Sequence, residues 1–506
     1  MSKLLFDTNE WTIPRIENTW NALHKINDEK YQFDIYEPQL EIIDYDTMLI
    51  KQAVSVGMPI SYSHWSYGKH YLQEKQDYVN KKSGTSYEMI INSDPCIAYL
   101  MDTNTMAMQA LVLAHASVGH SCFFKTNYEF KNNISAKFII PFLEYSTKYI
   151  EDCERNWGVI EVEELLDYLH AIANYGVDDI YDEKRSDNEE RIKKMHEYNA
   201  YIDENYNELY KDFDLKLGGF EILLGEGFRT VTESNLLYFI EKNAFDLLDW
   251  ERQIIKIIRI REQYFKPQIK TKLMNEGFAS FCEYLFIHDL YNEGYIHEGT
   301  LLELLNSHCN VCYHPDYHIL PGHLNPYKLG MAIFMDIKRI CIDPTEEDKK
   351  LYPDFAGCQD WLSQIKYVVE NFNDESFILQ YLSPKVIKDL KLMELVLKEG
   401  PSLFFRDDEE GYFYEVSHVS DPETLNRFRK NLSLTYTKEY FTPQLKIMSY
   451  HPGDSELHMM LKDGLQLNRE VYERDAKEVT KYIKALMGGS LRINLLREDY
   501  ATLFKF

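Results

Sequence analysis

Positive charge is scarce in this chain. Its 506 residues carry 82 Asp and Glu against 55 Lys and Arg, a net charge of −27. Phosphate backbones and anionic lipid surfaces are both met with Lys and Arg, so neither nucleic acid nor a membrane surface is an expected partner. The acidity is read as solubility. Long apolar runs are missing too. Met106 to Ala114 is interrupted by Gln109, and such stretches fall well short of the roughly 18 residues that a membrane span requires. The opening MSKLLFDTNEW lacks a basic stretch leading into an apolar one, so no export signal is expected. The eight cysteines (Cys96, Cys122, Cys153, Cys282, Cys309, Cys312, Cys341 and Cys358) are scattered along the chain. Without an export signal they are read as reduced thiols of a cytoplasmic protein. There is no Gly-rich phosphate loop, no dinucleotide glycine pattern and no Gly-x-Ser-x-Gly elbow. Internal repeats and low-complexity linkers are also lacking.

What is present is mostly helical periodicity. A chain of this length is long for a single core, so two or more domains are expected. Thr103 to Val118 reads as a buried helix, capped by Thr103 or Asn104 and apolar around nearly its whole circumference. Lys148 to Tyr168, Glu189 to Phe213, Ser234 to Tyr264 (stopped by Pro267), Thr271 to Asn292 and Glu298 to Ser307 read as further helices, with more to about Lys398. The Glu189 to Phe213 segment is charged enough to be an exposed insertion. Tyr87 to Asn92 reads as a short strand or a buried turn. The tail changes character. Gln444 to His451 and Glu456 to Leu461 alternate like strands, Arg474 to Met487 is an amphipathic helix, and Ser490 to Leu496 is a strand. The expected fold class is therefore mainly α. A large helical N-terminal domain, residues 1–435, precedes a small α+β (ββαβ) C-terminal domain, residues 436–506.

Four groups of residues could carry chemistry. His115 and His120 stand at the end of the buried helix. Imidazole is a good ligand for zinc or iron, but on a regular helix an i, i+5 spacing separates the two rings by about 140°. Gly119 permits a π-bulge or a helix end that would swing His120 back beside His115. The alternative is one buried, hydrogen-bonded histidine and one on the surface. Glu276, in Met274-Asn275-Glu276-Gly277, lies on or beside the core stripe of its helix, seven residues before Glu283. A carboxylate facing a core must be paired or bound to metal; one in the first turn of a helix is otherwise favoured by the helix dipole. Glu88 stands beside the apolar run Met89-Ile90-Ile91. Burial there would raise its pKa and suit it to general-base work; a strand-edge glutamate facing water is the other reading. Last, Cys309-x-x-Cys312 with His308, His314, His318 and His323 looks zinc-like, but no second cysteine pair or fixed histidine pair accompanies it.

SVGMPISYSHWSYGKHYL (from Ser55), YEMIINSDPCIAYLM (from Tyr87), TMAMQALVLAHASVGHSCFFKTNY (from Thr105), NLLYFIEKNA (from Asn235), MNEGFASF (from Met274) and NPYKLGMAIFMDIKRI (from Asn325) together resemble the stage V sporulation protein R (SpoVR-like) family. The likeness is collinear from about Trp11 to the C-terminus. It implies a bacterial cytoplasmic protein linked to spore cortex formation in spore formers and to stress responses elsewhere. It also implies two partners, a serine kinase of the PrkA type and a von Willebrand A-like protein. Departures exist: Phe278 stands where the family usually has Trp, Cys309 and Cys312 replace other residues, and the Glu189 to Phe213 insertion is individual. The His-x4-His and Asn-Glu-Gly blocks match the family and look like the ligand pieces of a gluzincin, which allows a zincin-like helical core. Two functions follow. One is a metal-dependent hydrolase acting on a cell-wall precursor or peptide, with His115, His120 and Glu276 holding a divalent metal, zinc, and Glu88 as the base. The other is a non-enzymatic regulator or scaffold whose histidines pack the core.

Overall fold

The computed structural model describes residues 4–505, apart from 56–57, 59–60, 81–87, 134, 178–234, 315–323, 393, 402–409, 418, 420, 438–441, 452–455, 462–468, 489 and 498–501. The Glu189 to Phe213 segment, His318 and His323 therefore lie outside the described residues.

The molecule is mainly helical, with three small sheets among the described residues. Five helices carry the site: α1 (Met106–Val112), α2 (Ser121–Thr126), α3 (Lys272–Asn292), α4 (Glu298–Val311) and α5 (Pro326–Ile342). Between α1 and α2, Leu113–His120 is a π-helix, every residue of it buried. The helix that begins this run is capped by Thr105, whose hydroxyl accepts from the Met108 amide. The cap thus falls later than Thr103 or Asn104, because Thr105 is the residue with extended backbone. Helix α5 starts with Asn325, which caps the amides of Tyr327 and Lys328, followed by Pro326 in the first turn.

Helix α3 runs through the middle of the larger core, and glycines decide how close its neighbours come. A Cβ on Gly277 would sit 2.4 Å from the Gly330 Cα of α5, and one on Gly330 would sit 2.3 Å from the Leu273 carbonyl. On the other side, a Cβ on Gly119 would sit 2.5 Å from the Ala279 Cα. The π-helix and α5 therefore both touch α3 backbone to backbone. Phe278, fully buried, fills the space around these crossings against Phe33, Phe123, Phe281 and Phe334. The first amides of α3, those of Leu273 and Met274, donate to the buried Asp374 carboxylate at 2.8 and 2.8 Å, which caps the helix from a distant segment.

Beside the π-helix lies a three-stranded sheet in the order β1–β3–β2, built from β1 (Pro38–Ile43), β2 (Glu88–Ile91) and β3 (Cys96–Met101). β3 is buried throughout and central; β1 pairs with it in parallel and β2 antiparallel, with Glu88 opposite Leu100. The Tyr87 to Asn92 reading thus resolves as a strand. Two further strands, β4 (Glu394–Pro401) and β5 (Glu410–Ser417), pair antiparallel; β4 begins inside the stretch to about Lys398 that was expected to be helical.

A second core gathers the Ile139–Trp157, Val159–Ile172, Leu236–Asn243 and Asp249–Lys270 helices together with the C-terminal sheet. Gly158, at φ +110°, divides the first two, which the sequence reads as one helix over Lys148 to Tyr168. The expected helix over Ser234 to Tyr264 is likewise two helices, and Pro267 lies buried inside the second rather than ending it. The C-terminal sheet has the order β6–β7–β8–β9: β6 (Leu445–His451), β7 (Glu456–Leu461), β8 (Arg492–Arg497) and β9 (Thr502–Lys505). The Arg469–Met487 helix connects the parallel pair β7 and β8. The expected β-β-α-β order is there, with β9 added at the edge.

Candidate metal centre

A π-helix closes its hydrogen bonds from i to i+5, so residues five apart stack on one face. That is how His115 and His120 come together. Their ring centroids lie 4.8 Å apart at 82°. Gly119 contributes through close packing on Ala279, not through an unusual backbone angle, since its φ is not positive.

Each imidazole is oriented by the nitrogen that faces away from its partner. His115 donates Nδ1–H to Glu283 at 2.8 Å, and His120 donates Nδ1–H to the Asn275 side-chain oxygen at 2.9 Å. Both Nε2 atoms then face Glu276, at 3.7 Å from His115 and 3.6 Å from His120, on the same carboxylate oxygen. Glu88 approaches from β2, its Oε1 3.6 Å from His115 Nε2. One donor atom from each of Glu88, His115 and His120 lies within 4.8 Å of the other two, a grouping that can hold a metal ion. Of the expected set His115, His120 and Glu276, the two Nε2–Oε2 separations of 3.7 and 3.6 Å are short, and the grouping within 4.8 Å takes Glu88 beside the two histidines.

Charge in the pocket runs in one direction. Burial opposes a proton on His115, but Glu88, Glu276 and Glu283 outweigh it and hold the ring well above its ordinary pKa. His120 has fewer anionic neighbours, and burial takes it down to about 4. Burial likewise works to raise Glu276 and Glu283, yet the histidines beside them bring both below the usual carboxylate value. Glu88 follows its burial, up to about 7. Its Oε2 is buried and has no hydrogen-bond partner. An unsatisfied carboxylate oxygen next to two imidazole nitrogens and a second carboxylate is a position that a divalent cation, or a water beside one, would satisfy. The donor set therefore fits such an ion.

Three supporting residues were not singled out from the sequence. Glu283 bridges His115 and His308, accepting from His308 Nδ1 at 2.7 Å. Asn275 anchors His120. Tyr327 lies beside Glu276 and stacks on His115 at 6.0 Å. Signals existed for each: Glu283 is two helical turns beyond Glu276, Asn275 precedes it, and Tyr327 opens the Asn325 block. In the cysteine segment, Cys312 is buried beside His308 while Cys309 is exposed.

A mainly helical protein with a buried histidine–glutamate cluster is thus defined by fold and site. The SpoVR like protein family model matches residues 10–444, so every residue of the cluster lies inside it. YcgB of Escherichia coli (strain K12) is 38% identical over 498 residues, which is 98% of this chain and 94% of YcgB. The chain belongs to the SpoVR family. No solved structure matches it. Among the described residues, no helix is long and apolar enough to cross a membrane.

Proposed function

We propose that the protein is a metal-dependent hydrolase of amide bonds in a peptide or cell-wall precursor. The observation that carries this reading is the convergence of both Nε2 atoms on one oxygen of Glu276, with each Nδ1 already anchored. His115, His120 and Glu276 would hold the ion. A zinc ion there would supply Lewis acidity, polarising a carbonyl and making a water easier to deprotonate. Glu88 accepts the proton from the attacking water; its pKa of about 7 suits a group that must take a proton and then give it up. Glu283 and Asn275 fix the ring orientations and tautomers, and Tyr327 orients Glu276. The substrate class and the cytoplasmic setting rest on what the family resemblance implies: spore cortex formation or stress responses, alongside a PrkA-type kinase and a von Willebrand A-like protein.

The test is hydrolysis of a peptide library and of peptidoglycan-precursor peptides, followed by new amine ends. Wild-type protein should produce them, a chelator should stop it, and added zinc should restore it. Glu88→Gln should keep its metal and lose turnover. Turnover that persists through chelation would overturn the reading.

A further inference from the structure

The Glu283 carboxylate has two histidines, one on each oxygen. His115 takes Oε2 and His308 takes Oε1, both through Nδ1. Each ring is thereby turned so that its Nε2 points away from Glu283. For His115 that direction leads to the centre described above. For His308 it leads to sulfur. Cys312 Sγ lies 3.9 Å from His308 Nε2, and the same sulfur lies 3.9 Å from Met331 Sδ. His308 and Cys312 are both buried. Their positions are fixed by the backbone: the Cys312 amide donates to the His308 carbonyl at 2.9 Å. The Asn325 side chain ties the end of α4 to the start of α5, donating to the Val311 and Tyr313 carbonyls at 2.8 and 2.8 Å.

We infer that His308, Cys312 and Met331 form a second metal site, selective for a soft monovalent ion, copper(I). Geometry comes first. Nitrogen and sulfur donors that sit about 2.0–2.3 Å from a shared ion stand about 3.5–4.0 Å from one another, and the two measured separations fall in that range. Donor chemistry comes second. Thiolate and thioether sulfur select copper(I), whereas a hard or borderline divalent ion is better served by the carboxylates of the neighbouring centre. On binding, the Cys312 thiol proton and any proton on His308 Nε2 go to solvent, so that one thiolate meets one copper(I) and Nε2 is free to ligate. The Cys-x-x-Cys spacing is then incidental: Cys312 is the ligand and Cys309 stays at the surface. The inference does not depend on the hydrolase reading, because the two centres share only the orienting carboxylate.

The experiment is an anaerobic copper(I) titration of the reduced full chain against a chromophoric copper(I) chelator. A Cys309→Ser/Cys358→Ser background removes the two exposed thiols. One tightly held copper(I) per chain is expected. Cys312→Ser should abolish it, and Met331→Leu should weaken it at least about tenfold, the scale on which metal-site substitutions act. Zinc bound at the His115 centre should not change in either variant. X-ray absorption of the copper-loaded protein should give sulfur and nitrogen donors, with one sulfur fewer in Met331→Leu. The inference is overturned if copper(I) uptake survives Cys312→Ser, if the two surface substitutions alone remove it, if copper(I) displaces zinc one for one, or if this site takes zinc and not copper(I).

Discussion

Two places in the molecule bring a pair of histidines together, and they do it in opposite ways. At the π-helix, His115 and His120 turn their Nε2 atoms inward onto Glu276, with Glu88 and Glu283 close by. In the second core, His64 and His170 lie 4.6 Å apart, but each nitrogen that is engaged finds an ordinary partner. His64 meets Ser66 at 2.7 Å and Asp167 at 3.2 Å, and His170 Nε2 meets the Tyr62 hydroxyl at 2.7 Å. Burial, joined by Arg261, takes His170 down to about 3, while Asp167 and Glu163 face His64. Three carboxylates surround one pair, whereas at the other an arginine offsets the carboxylates. Histidine proximity alone therefore does not mark a metal centre. The sign of the surrounding field, and whether the Nε2 atoms converge, do.

The comparison is broken most severely by removing the base. Glu88→Gln should keep its metal and lower hydrolytic turnover by about 10²- to 10⁴-fold, the usual contribution of a positioned base; equal turnover in the two proteins would remove Glu88 from the mechanism. It is sharpened next at the anchors. Glu283→Gln and Asn275→Ala leave every proposed zinc ligand in place but loosen a ring at the centre, His115 (and, beyond it, His308) in the first and His120 in the second. Zinc affinity, measured by competition with a chromophoric chelator, should fall about 10- to 100-fold. His170→Gln in the other pair should leave zinc affinity unchanged.

How much of this was legible in the sequence follows from what each feature depends on. His115, His120, Glu276 and Glu88 could be singled out because each is a polar residue in an apolar surrounding, visible from periodicity. Gly119 drew attention for backbone freedom, whereas its role is contact with Ala279, seen only once α3 is placed. The same holds for Gly277 and Gly330, whose meaning is a crossing between helices about fifty residues apart. The C-terminal β-β-α-β order was readable because alternation and amphipathicity are local. β4 was not, since no turn signal or clean alternation separates it from the helix before it. The break at Gly158 was missed because helical periodicity continues across it.

Helix crossing gives a smaller effect. Gly277→Ala and Gly330→Ala should each destabilise by about 1–3 kcal/mol through overpacking, read as a lower midpoint in urea. Gly299→Ala, where an added Cβ meets nothing within 4 Å, should cause no loss. A midpoint unchanged in Gly277→Ala would mean that the helices are further apart than described.

The smallest effect is in pH. His170 is held neutral, with a folded pKa of about 3 against an ordinary value near 6.5. The unfolded chain therefore binds the extra proton first. The stability this group contributes is complete above about pH 6.5 and is lost as pH falls toward 3. His170→Gln should flatten that part of the melting-temperature profile, from about pH 6.5 downward. A profile as steep as that of wild type would assign the acid sensitivity to other groups.

The most direct test of the central claim is metal content. Purified wild-type protein, His115→Ala, His120→Ala and Glu276→Ala would be measured by inductively coupled plasma mass spectrometry, with circular dichroism to confirm that each variant is folded. Close to one zinc per chain is expected in the wild type at the His115 centre, and a small fraction of that in each folded variant. Folded variants that retain wild-type metal, or a wild type that binds no divalent ion when zinc is supplied, would contradict the account and leave the cluster as core packing in a non-enzymatic regulator.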